Sequence, residues 1–338
     1  MAARAFSDLT RRGRARRLRP IARQALEERG LGDCSLEFLT DDTNTLFRAR
    51  AASGPGFVVR IGVHGPIAHS PAEAQAETEW LTSLRASGLT VPEPVPDRRG
   101  RLVSVLSASG VEGPRVVVVF RWLPGSLLQE RLTPANLEAY GRLAAELHRH
   151  AAGFRPPGES PLPHYDRLFP FDQPEVLFGS PSSPLLPPER LAVFRRAAER
   201  VEEAIGRLGA AEPMRLLHGD FHVWNVLIHR GEPAAIDFED LMWGWPIQDI
   251  GTAFYYLFHR PDFAAVRDGF RRGYERVSPW PETRPGDLEA FIAGRALVLA
   301  NDVLQMAPET LADLDVPEFF ARAERRLRAI LDGGNFVG

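Results

Sequence analysis

Residues 217–251, LHGDFHVWNVLIHRGEPAAIDFEDLMWGWPIQDIG, decide the fold, because they place polar side chains at close spacing between apolar runs. The run at residues 226–228 predicts a short strand, and the run at residues 234–236 predicts its partner. Arg230-Gly231-Glu232 lies between them and is typical of a loop. The stretch therefore predicts an antiparallel hairpin with acids at its base.

The hairpin gives the polar residues of this stretch a common location. Asn225 enters the first strand and Asp237 leaves the second, so antiparallel pairing would bring both to the same end of the ribbon. Asp220 precedes that end on a loop. Amide and carboxylate oxygens suit a hard divalent cation, and a further carboxylate suits a proton acceptor. Any one of these residues alone is typical of a turn or a helix cap. Together with Asp249 they make four, and turn formation does not require four such residues in this order.

Composition limits the possible classes of protein. The 338 residues predict about two domains, and the net charge of −3 argues against nucleic acid as the main partner. The single cysteine, Cys34, excludes an intramolecular disulfide framework and suits a reducing compartment. No apolar run is long enough to span a membrane, and the N-terminus lacks the apolar core of a signal peptide. We expect a cytoplasmic protein with no membrane partner, either a monomer or a homodimer.

Hydrophobic periodicity divides the chain at the stretch around Trp122. Residues 1–30 predict an arginine-rich helix whose charges form a solvated face. Residues 35–62 predict three antiparallel strands, residues 71–87 a helix capped by Ser70, and residues 102–106 and 116–120 two further strands. The following part predicts helices from Thr133 and at about 189–208, 248–259, 262–276, 286–307 and 317–332. We therefore predict an N-terminal domain at 1–121 and a C-terminal domain at 122–338.

This plan resembles the aminoglycoside phosphotransferase and choline kinase-like family, over roughly residues 30–330. The match is carried by His218-Gly219-Asp220 with Asn225, then Ile236-Asp237-Phe238-Glu239, then Gln248-Asp249-Ile250. The resemblance implies an α+β, two-lobed, protein-kinase-like fold. A small antiparallel sheet lobe with one helix would precede a larger, mainly helical lobe. It also implies ATP and Mg²⁺ as cofactors.

The resemblance implies a role for each residue of the motif. Asp220 would accept or orient the proton of the substrate hydroxyl, and Asn225 and Asp237 would hold magnesium against the ATP phosphates. Asp249 would brace the catalytic loop by accepting its backbone N–H groups. His218 would be structural, packed behind Asp220. His222 and His229 have no partner with metal-ligand spacing, so we expect them to be loop or surface histidines.

The N-terminal lobe matches the family less closely. Arg60 stands where kinases place the strand residue that pairs with the phosphates, and Glu77 is its expected partner, with Glu73 as the alternative. The resemblance also implies a phosphate-covering loop and a hinge. Their residues are Asp41, Asp42, Thr43, Asn44 and Thr45 for the loop, Phe120, Arg121, Trp122 and Leu123 for the hinge, and Val59 and Leu102 for the adenine wall.

The two acids of that loop are unfavourable beside a triphosphate unless their side chains point away. Asp41 and Asp42 precede Asn44 and Thr45, which are the polar residues expected to contact phosphate.

The acceptor is less well defined by the motif. Glu239 and Asp240 follow the metal-binding Asp, and Trp243 and Trp245 come soon after. Acid and aromatic side chains together suit a cationic acceptor such as an aminoglycoside or an amino alcohol. Residues 153–188 are expected to form the variable substrate segment, with His164, Tyr165, Asp166 and Phe171 as its notable residues.

Three functions remain open at this point. The first is a phosphotransferase that acts on a hydroxyl of a small molecule. The second is a bacterial Ser/Thr protein kinase of the stress-response type, whose pattern Pro246-Ile247-Gln248-Asp249 also fits. The third is a non-catalytic scaffold, against which the intact Asp220, Asn225 and Asp237 argue.

Overall fold

The computed structural model describes residues 5–6, 8–65, 68–156, 162–171, 174–179, 184–306, 310–311 and 314–333. Some predicted features lie outside the described residues. They are Arg4, residue 307 at the end of one predicted helix, and parts of the predicted substrate segment. The chain forms two compact units. The first is built from residues up to Gly125, and the second from Ser126–Arg155 and Leu162–Gly338.

The first unit is organised around one antiparallel sheet. Its strands lie in the order β1-β2-β3-β5-β4. In chain order the strands are β1 (Ser35–Asp41), β2 (Asn44–Arg50), β3 (Phe57–Gly62), β4 (Val103–Leu106) and β5 (Arg115–Arg121). The five strands predicted from the sequence are therefore present, and every pairing between them is antiparallel.

Helix α1 (Arg11–Glu27) covers one face of this sheet. Its apolar residues, among them Leu18, Ile21 and Leu26, are buried with Phe47 and Val59 in one core cluster. The helix starts at Thr10, whose side chain accepts a hydrogen bond from the N–H of Gly13 at 3.2 Å. Several of its arginines are exposed, as the predicted solvated face requires: Arg11, Arg12, Arg16 and Arg19.

Helix α2 (Pro71–Ala86) follows β3 and begins with a capping box. The Ser70 hydroxyl accepts from the N–H of Glu73 at 3.2 Å, and the Glu73 carboxylate accepts from the N–H of Ser70 at 2.6 Å. Trp80, Leu81 and Leu84 on its apolar face are fully buried. The predicted cap and helix are both confirmed.

The second unit is mainly helical, and none of the helices in the described part of the chain combines the length and apolar character needed to cross a membrane. Its six helices in the described ranges are α3 (Pro134–Gly153), α4 (Pro188–Ala211), α5 (Pro246–Tyr255), α6 (Phe263–Glu275), α7 (Asp287–Gln305) and α8 (Val316–Leu331). Helix α5 starts and ends earlier than predicted, because Pro246 occupies its first position and the Gln248 side chain accepts from the N–H of Trp245.

Short strands of the second unit carry the hairpin predicted from the sequence. Strands β8 (Val226–His229) and β9 (Glu232–Ala235) pair antiparallel, with β6 (Ser126–Leu127) on the other side of β8. The turn is shorter than predicted, because Glu232 already pairs with His229. Arg230 and Gly231 both have positive φ, as in a two-residue hairpin turn. Strands β7 (Arg215–Leu217) and β10 (Met242–Gly244) form a second pair that periodicity did not indicate.

Helices α3 and α6 pack with their backbones almost in contact. A Cβ atom added to Gly141 of α3 would lie 1.8 Å from the carbonyl oxygen of Phe270, and one added to Gly273 of α6 would lie 1.8 Å from that of Glu138. No side chain fits at either position, so glycine sets the separation of these two helices.

We predict that Gly141→Ala destabilises the protein by about 3 kcal/mol, since the added methyl group must push two helices apart. Gly206→Ala is the matched control. Gly206 lies inside α4 with nothing near its added Cβ, so alanine there should stabilise by about 0.5–1 kcal/mol. Urea unfolding of both variants measures the difference, and equal stabilities would contradict the close packing.

Candidate active site

The loop that carries Asp220 depends on a glycine. Gly219 has φ +83°, and a Cβ atom at this position would lie 1.8 Å from the carbonyl oxygen of Asp240. Both the backbone angle and the space require glycine. The loop can therefore pass closely under the chain that leads into β10.

Asp249, on the first turn of α5, holds the start of this loop. Its carboxylate accepts the N–H of His218 at 3.0 Å and the N–H of Gly219 at 2.9 Å. His148 of α3 lies 3.2 Å from the same carboxylate. The contacts implied for Asp249 by the resemblance are thus present, and α3 supports them from behind.

His218 and Phe221 fix the interior of the loop. His218 is fully buried, its Nε2 lies 3.0 Å from the carbonyl oxygen of Ile236, and burial lowers its pKa. The hydroxyl of Tyr140 donates to the carbonyl oxygen of Phe221 at 2.9 Å. These contacts hold the His218 ring and the backbone of Phe221 in the interior of the unit.

The hairpin brings Asn225 and Asp237 to one end, as its register requires. The N–H of Ile236 donates to the carbonyl oxygen of Asn225 at 2.9 Å, so Asp237 is the next residue after the last pairing. Asp237 is exposed and has φ +65°, a strained conformation that is more common at functional sites. The Asn225 amide nitrogen donates to Asp220, which leaves the amide oxygen for a metal.

This donor pair fits magnesium but not a metal held by protein alone. In the described part of the chain, no group of three or more His, Cys, Asp or Glu side chains could hold a metal ion. Mg²⁺ is commonly bound through one or two carboxylates together with phosphate oxygens and water. Asn225 and Asp237 are of the residue types that fit this minimal protein contribution.

Asp220 is surrounded by donors that the sequence did not reveal. Arg295 of α7 donates from Nη2 to Oδ1 of Asp220 at 2.5 Å, and His222 Nε2 lies 3.1 Å from Oδ2. His222 lies on the loop, one of its two expected positions, but not at the surface, because its side chain is mostly buried against Asp220. Burial alone would raise the pKa of Asp220, but the charge of Arg295 and the hydrogen bond with His222 hold it below its ordinary value.

Three aromatic side chains form a wall beside Asp220, which we call the aromatic wall: His222, Trp224 and Tyr256. Their ring centroids lie 4.8–5.4 Å apart in edge-to-face arrangements. Trp224 is 41% exposed, which is unusual for so large an apolar side chain. The sequence did not indicate Trp224, because the residue before Asn225 lies outside the motif positions.

The tryptophans chosen from the sequence have other neighbours. The guanidinium of Arg155 lies 5.6 Å from the ring centroid of Trp243, and the ring of His164 also faces it. A protein cation therefore already occupies the position expected for a cationic acceptor. Trp245 is buried and donates from Nε1 to the carbonyl oxygen of Glu212 at 3.0 Å, as a core residue does.

The acids that follow Asp237 are partly buried. Glu239 and Asp240 both keep some exposure. Burial and then the charges of Asp220 and Glu239 raise the pKa of Asp240 well above its ordinary value. The neighbouring acids therefore favour the neutral, protonated form of Asp240.

In the first unit, Arg60 forms a bidentate ion pair with Glu77, rather than with Glu73. Nη1 donates to Oε1 at 2.9 Å, and Nη2 donates to Oε2. Arg60 lies on the face of β3 opposite Val59, since successive strand residues alternate. Val59 belongs to the core under α1, so its expected place in an adenine wall is wrong.

Helix α1 accounts for the two acids of the predicted phosphate loop. Arg14 donates from Nε to Asp41 at 2.7 Å, and Arg11 lies 3.2 Å from the Asp42 carboxylate. The hydroxyl of Thr45 also donates to Asp41, and Thr45 is buried. The acids are thus neutralised within the unit, and the Thr45 side chain is engaged by protein.

Two backbone N–H groups of the predicted hinge already donate hydrogen bonds to other parts of the first unit. The N–H of Arg121 donates to the carbonyl oxygen of Glu93, and that of Trp122 donates to the carbonyl oxygen of Gly56, both at 2.9 Å. The Arg121 side chain pairs with Glu93 at 2.7 Å. Of the expected hinge residues, Leu123 follows these pairings and is half-buried.

The described parts of the predicted substrate segment are fixed to the second unit. The N–H of Tyr165 donates to the carbonyl oxygen of Trp243 at 2.7 Å, and Tyr165 is buried with Phe171 packed against its cluster. His164 and Asp166 are exposed on either side of it. Residues 157–161, 172–173 and 180–183 of the segment lie outside the described residues.

Comparisons with known proteins agree with this geometry. The model of a family described as phosphotransferase enzymes matches residues 37–285. An uncharacterised protein of Deinococcus radiodurans is 30% identical over 254 residues, which cover 72% of this chain and 71% of that protein.

Solved structures show the same fold. A microcompartment-associated aminopropanol kinase has a TM-score of 0.76 at 24% identity, covering 94% of this chain and 99% of that one. Amicoumacin kinase hAmiN, solved with AMP-PNP, Ca²⁺ and Ami, has a TM-score of 0.72 at 18% identity, covering 94% of each chain.

The chain therefore belongs to the phosphotransferase enzyme family. The expected fold class and family are both confirmed, and the chain is an enzyme of the kinase type.

We predict that Asp249→Asn lowers turnover about 100-fold, because the amide cannot accept both backbone N–H groups and the loop shifts. Asp287→Asn is the matched control. Asp287 is equally buried and accepts from the Arg284 N–H, Thr283 and Arg207, away from the loop. Each variant should lose about 1–3 kcal/mol of stability. Steady-state kinetics and thermal unfolding measure both effects, and equal turnover in the two variants would contradict the bracing role.

Proposed function

We propose that this protein transfers the γ-phosphate of ATP to a hydroxyl group of a small, amine-bearing molecule. The observation that carries the proposal is the convergence of Asp220, Asn225 and Asp237 at the base of one hairpin. Such a site acts by positioning and by balancing charge, with little covalent work for the protein.

Asp220 is the group that orients the acceptor hydroxyl. A carboxylate offers about four acceptor positions, and Arg295, His222 and Asn225 use three of them. The remaining position is open to a hydroxyl proton. Because Arg295 favours the ionised form, Asp220 remains a hydrogen-bond acceptor at neutral pH.

Asn225 and Asp237 would hold Mg²⁺ through one amide oxygen and one carboxylate. Magnesium, when bound, neutralises charge on the phosphate oxygens. The complex of hAmiN with AMP-PNP and Ca²⁺ supports a nucleotide and a divalent cation in this fold. Magnesium is our choice of ion because the donor set is small and made of oxygen atoms.

The first unit carries the residues proposed for the nucleotide. Arg60, held by Glu77, would present its charge to phosphate, and the loop around Asn44 would offer backbone N–H groups. Thr45 would contribute through its backbone only, since its hydroxyl is bound to Asp41. We assign the adenine edge to Leu123 and to the backbone carbonyl of Arg121.

The acceptor is proposed to be an amine because of what lies beside Asp220. The exposed face of Trp224 suits a cation, and the partly exposed Glu239 adds an acidic side chain to this region. The similarity to an aminopropanol kinase and to amicoumacin kinase hAmiN supports an acceptor of this class. A cytoplasmic location and a monomeric or homodimeric state remain predictions.

Asp220→Asn and Asp237→Asn should fail in different ways. Asp220→Asn should abolish phosphoryl transfer and keep Mg-ATP binding, because it removes only the acceptor for the hydroxyl proton. Asp237→Asn should weaken nucleotide binding only when magnesium is present. Calorimetric titration with ATP, with and without magnesium, separates the two. Full turnover of Asp220→Asn, or unchanged Mg-ATP affinity of Asp237→Asn, would count against the assigned role.

Trp224→Leu should raise KM for an amine-bearing acceptor roughly 10-fold. This is the loss of affinity expected when one cation–π contact of moderate strength is removed. KM for ATP should not change. Trp243→Leu is the control, because Arg155 already faces that ring.

A screen of amino alcohols, amino sugars and their uncharged analogues, read by phosphomonoester formation, identifies the acceptor. Preference for the uncharged analogues would overturn the amine assignment.

A further inference from the structure

Arg295 is the charged residue nearest to the proposed base that the sequence motif does not contain. It lies on α7, 75 residues after Asp220 in the sequence, and donates from Nη2 to Oδ1 of Asp220 at 2.5 Å. Both side chains are largely buried, at 15% and 18% exposure. The contact is therefore a buried, charge-assisted hydrogen bond, of the kind that holds a side chain in one orientation.

The guanidinium of Arg295 also contacts Tyr256. The same Nη2 lies 3.1 Å from the Tyr256 hydroxyl, and the Arg295 Cζ lies 5.8 Å from the centroid of the Tyr256 ring. Tyr256 belongs to the aromatic wall and packs against His222, which itself contacts Asp220. Arg295 is thus part of a closed set of contacts around the carboxylate.

The helix that carries Arg295 is fixed against the helix that carries Asp249. A Cβ atom added to Gly251 of α5 would lie 2.5 Å from Cβ of Phe291 and 2.8 Å from its carbonyl carbon. Phe291 lies one helical turn before Arg295 on α7, so both face the same way. This close approach fixes the helix of Arg295 against the helix of Asp249, and both residues contact the loop.

We propose that Arg295 is a positioning residue for Asp220. By occupying Oδ1, it selects the rotamer of the carboxylate and leaves one acceptor position for the substrate hydroxyl. Its charge balances Asp220 in a region that also contains Asp237 and Glu239. Arg295 acts through Asp220, because its Nη2 is shared between Asp220 and Tyr256. This inference rests on the proposed function.

The test compares Arg295→Gln and Arg295→Lys with a matched control, Arg190→Gln. Arg190 of α4 is equally buried, at 15% exposure, and is paired with Glu324 at 2.8 Å, with no contact to the loop. Arg295→Gln should lower kcat about 100-fold with KM for ATP within about twofold, since a misplaced base costs that much. Arg295→Lys should recover about tenfold of this loss, because it restores the charge without the fixed geometry.

Chemical rescue adds a measurement that a purely structural role would not change. Guanidinium chloride at low millimolar concentration should raise kcat of Arg295→Ala severalfold and leave Arg190→Ala unchanged. Thermal unfolding of all variants reports whether each is folded. Arg295→Gln and Arg190→Gln should lose similar stability, so only turnover separates them.

The outcomes distinguish this inference from the proposed function. A wild-type protein that transfers no phosphate to any amine-bearing acceptor refutes the proposed function, and this inference with it. Normal wild-type turnover with an unaffected kcat in folded Arg295→Gln refutes the positioning role alone. A raised KM for ATP at unchanged kcat also refutes it, since Arg295 would then bind phosphate.

Discussion

The active site depends on one buried carboxylate that accepts two consecutive backbone N–H groups. Asp249 receives the N–H groups of His218 and Gly219, and His148 supports it from α3. Buried backbone donors need partners, so this carboxylate fixes the path of the loop at its first residues. The position of Asp220 follows from that path. The same constraint explains why Gly219 must be glycine, since the loop passes directly beneath the carbonyl oxygen of Asp240.

Charge balance is the second constraint on the site. Asp220, Asp237, Glu239 and Asp240 lie within one short region, and within the described ranges Arg295 is the cation bonded to Asp220. A buried anion without a counter-charge would take up a proton, and the site would lose its hydrogen-bond acceptor. The first unit shows the same pattern, where Arg14 of α1 pairs with the buried Asp41. In both units, arginines on helices allow acids to remain in polar loops.

Local pattern predicted the five strands of the first unit, the capped helix α2 and the hairpin, whereas the family resemblance implied the fold class. These features depend on neighbours in sequence, where periodicity and capping residues are informative. Arg60 could be paired with Glu77 because strand and helix are adjacent along the chain. Arg295 and Trp224 were overlooked, and the contact of His222 with Asp220 was not expected, because these features arise from tertiary packing between α5, α7 and the loop. Val59 was misplaced because alternation gives two faces, and only the packing of α1 shows which one is core.

The most direct test of this account is the position of the divalent cation relative to the hairpin. Crystals grown with Mn²⁺ and a non-hydrolysable ATP analogue would locate the metal by anomalous scattering. The account predicts that the metal lies within about 2.3 Å of the Asn225 amide oxygen and an Asp237 carboxylate oxygen. Asp220 should make no bond to it. A metal coordinated by Asp220, or one bound away from Asn225 and Asp237, would contradict the central claim.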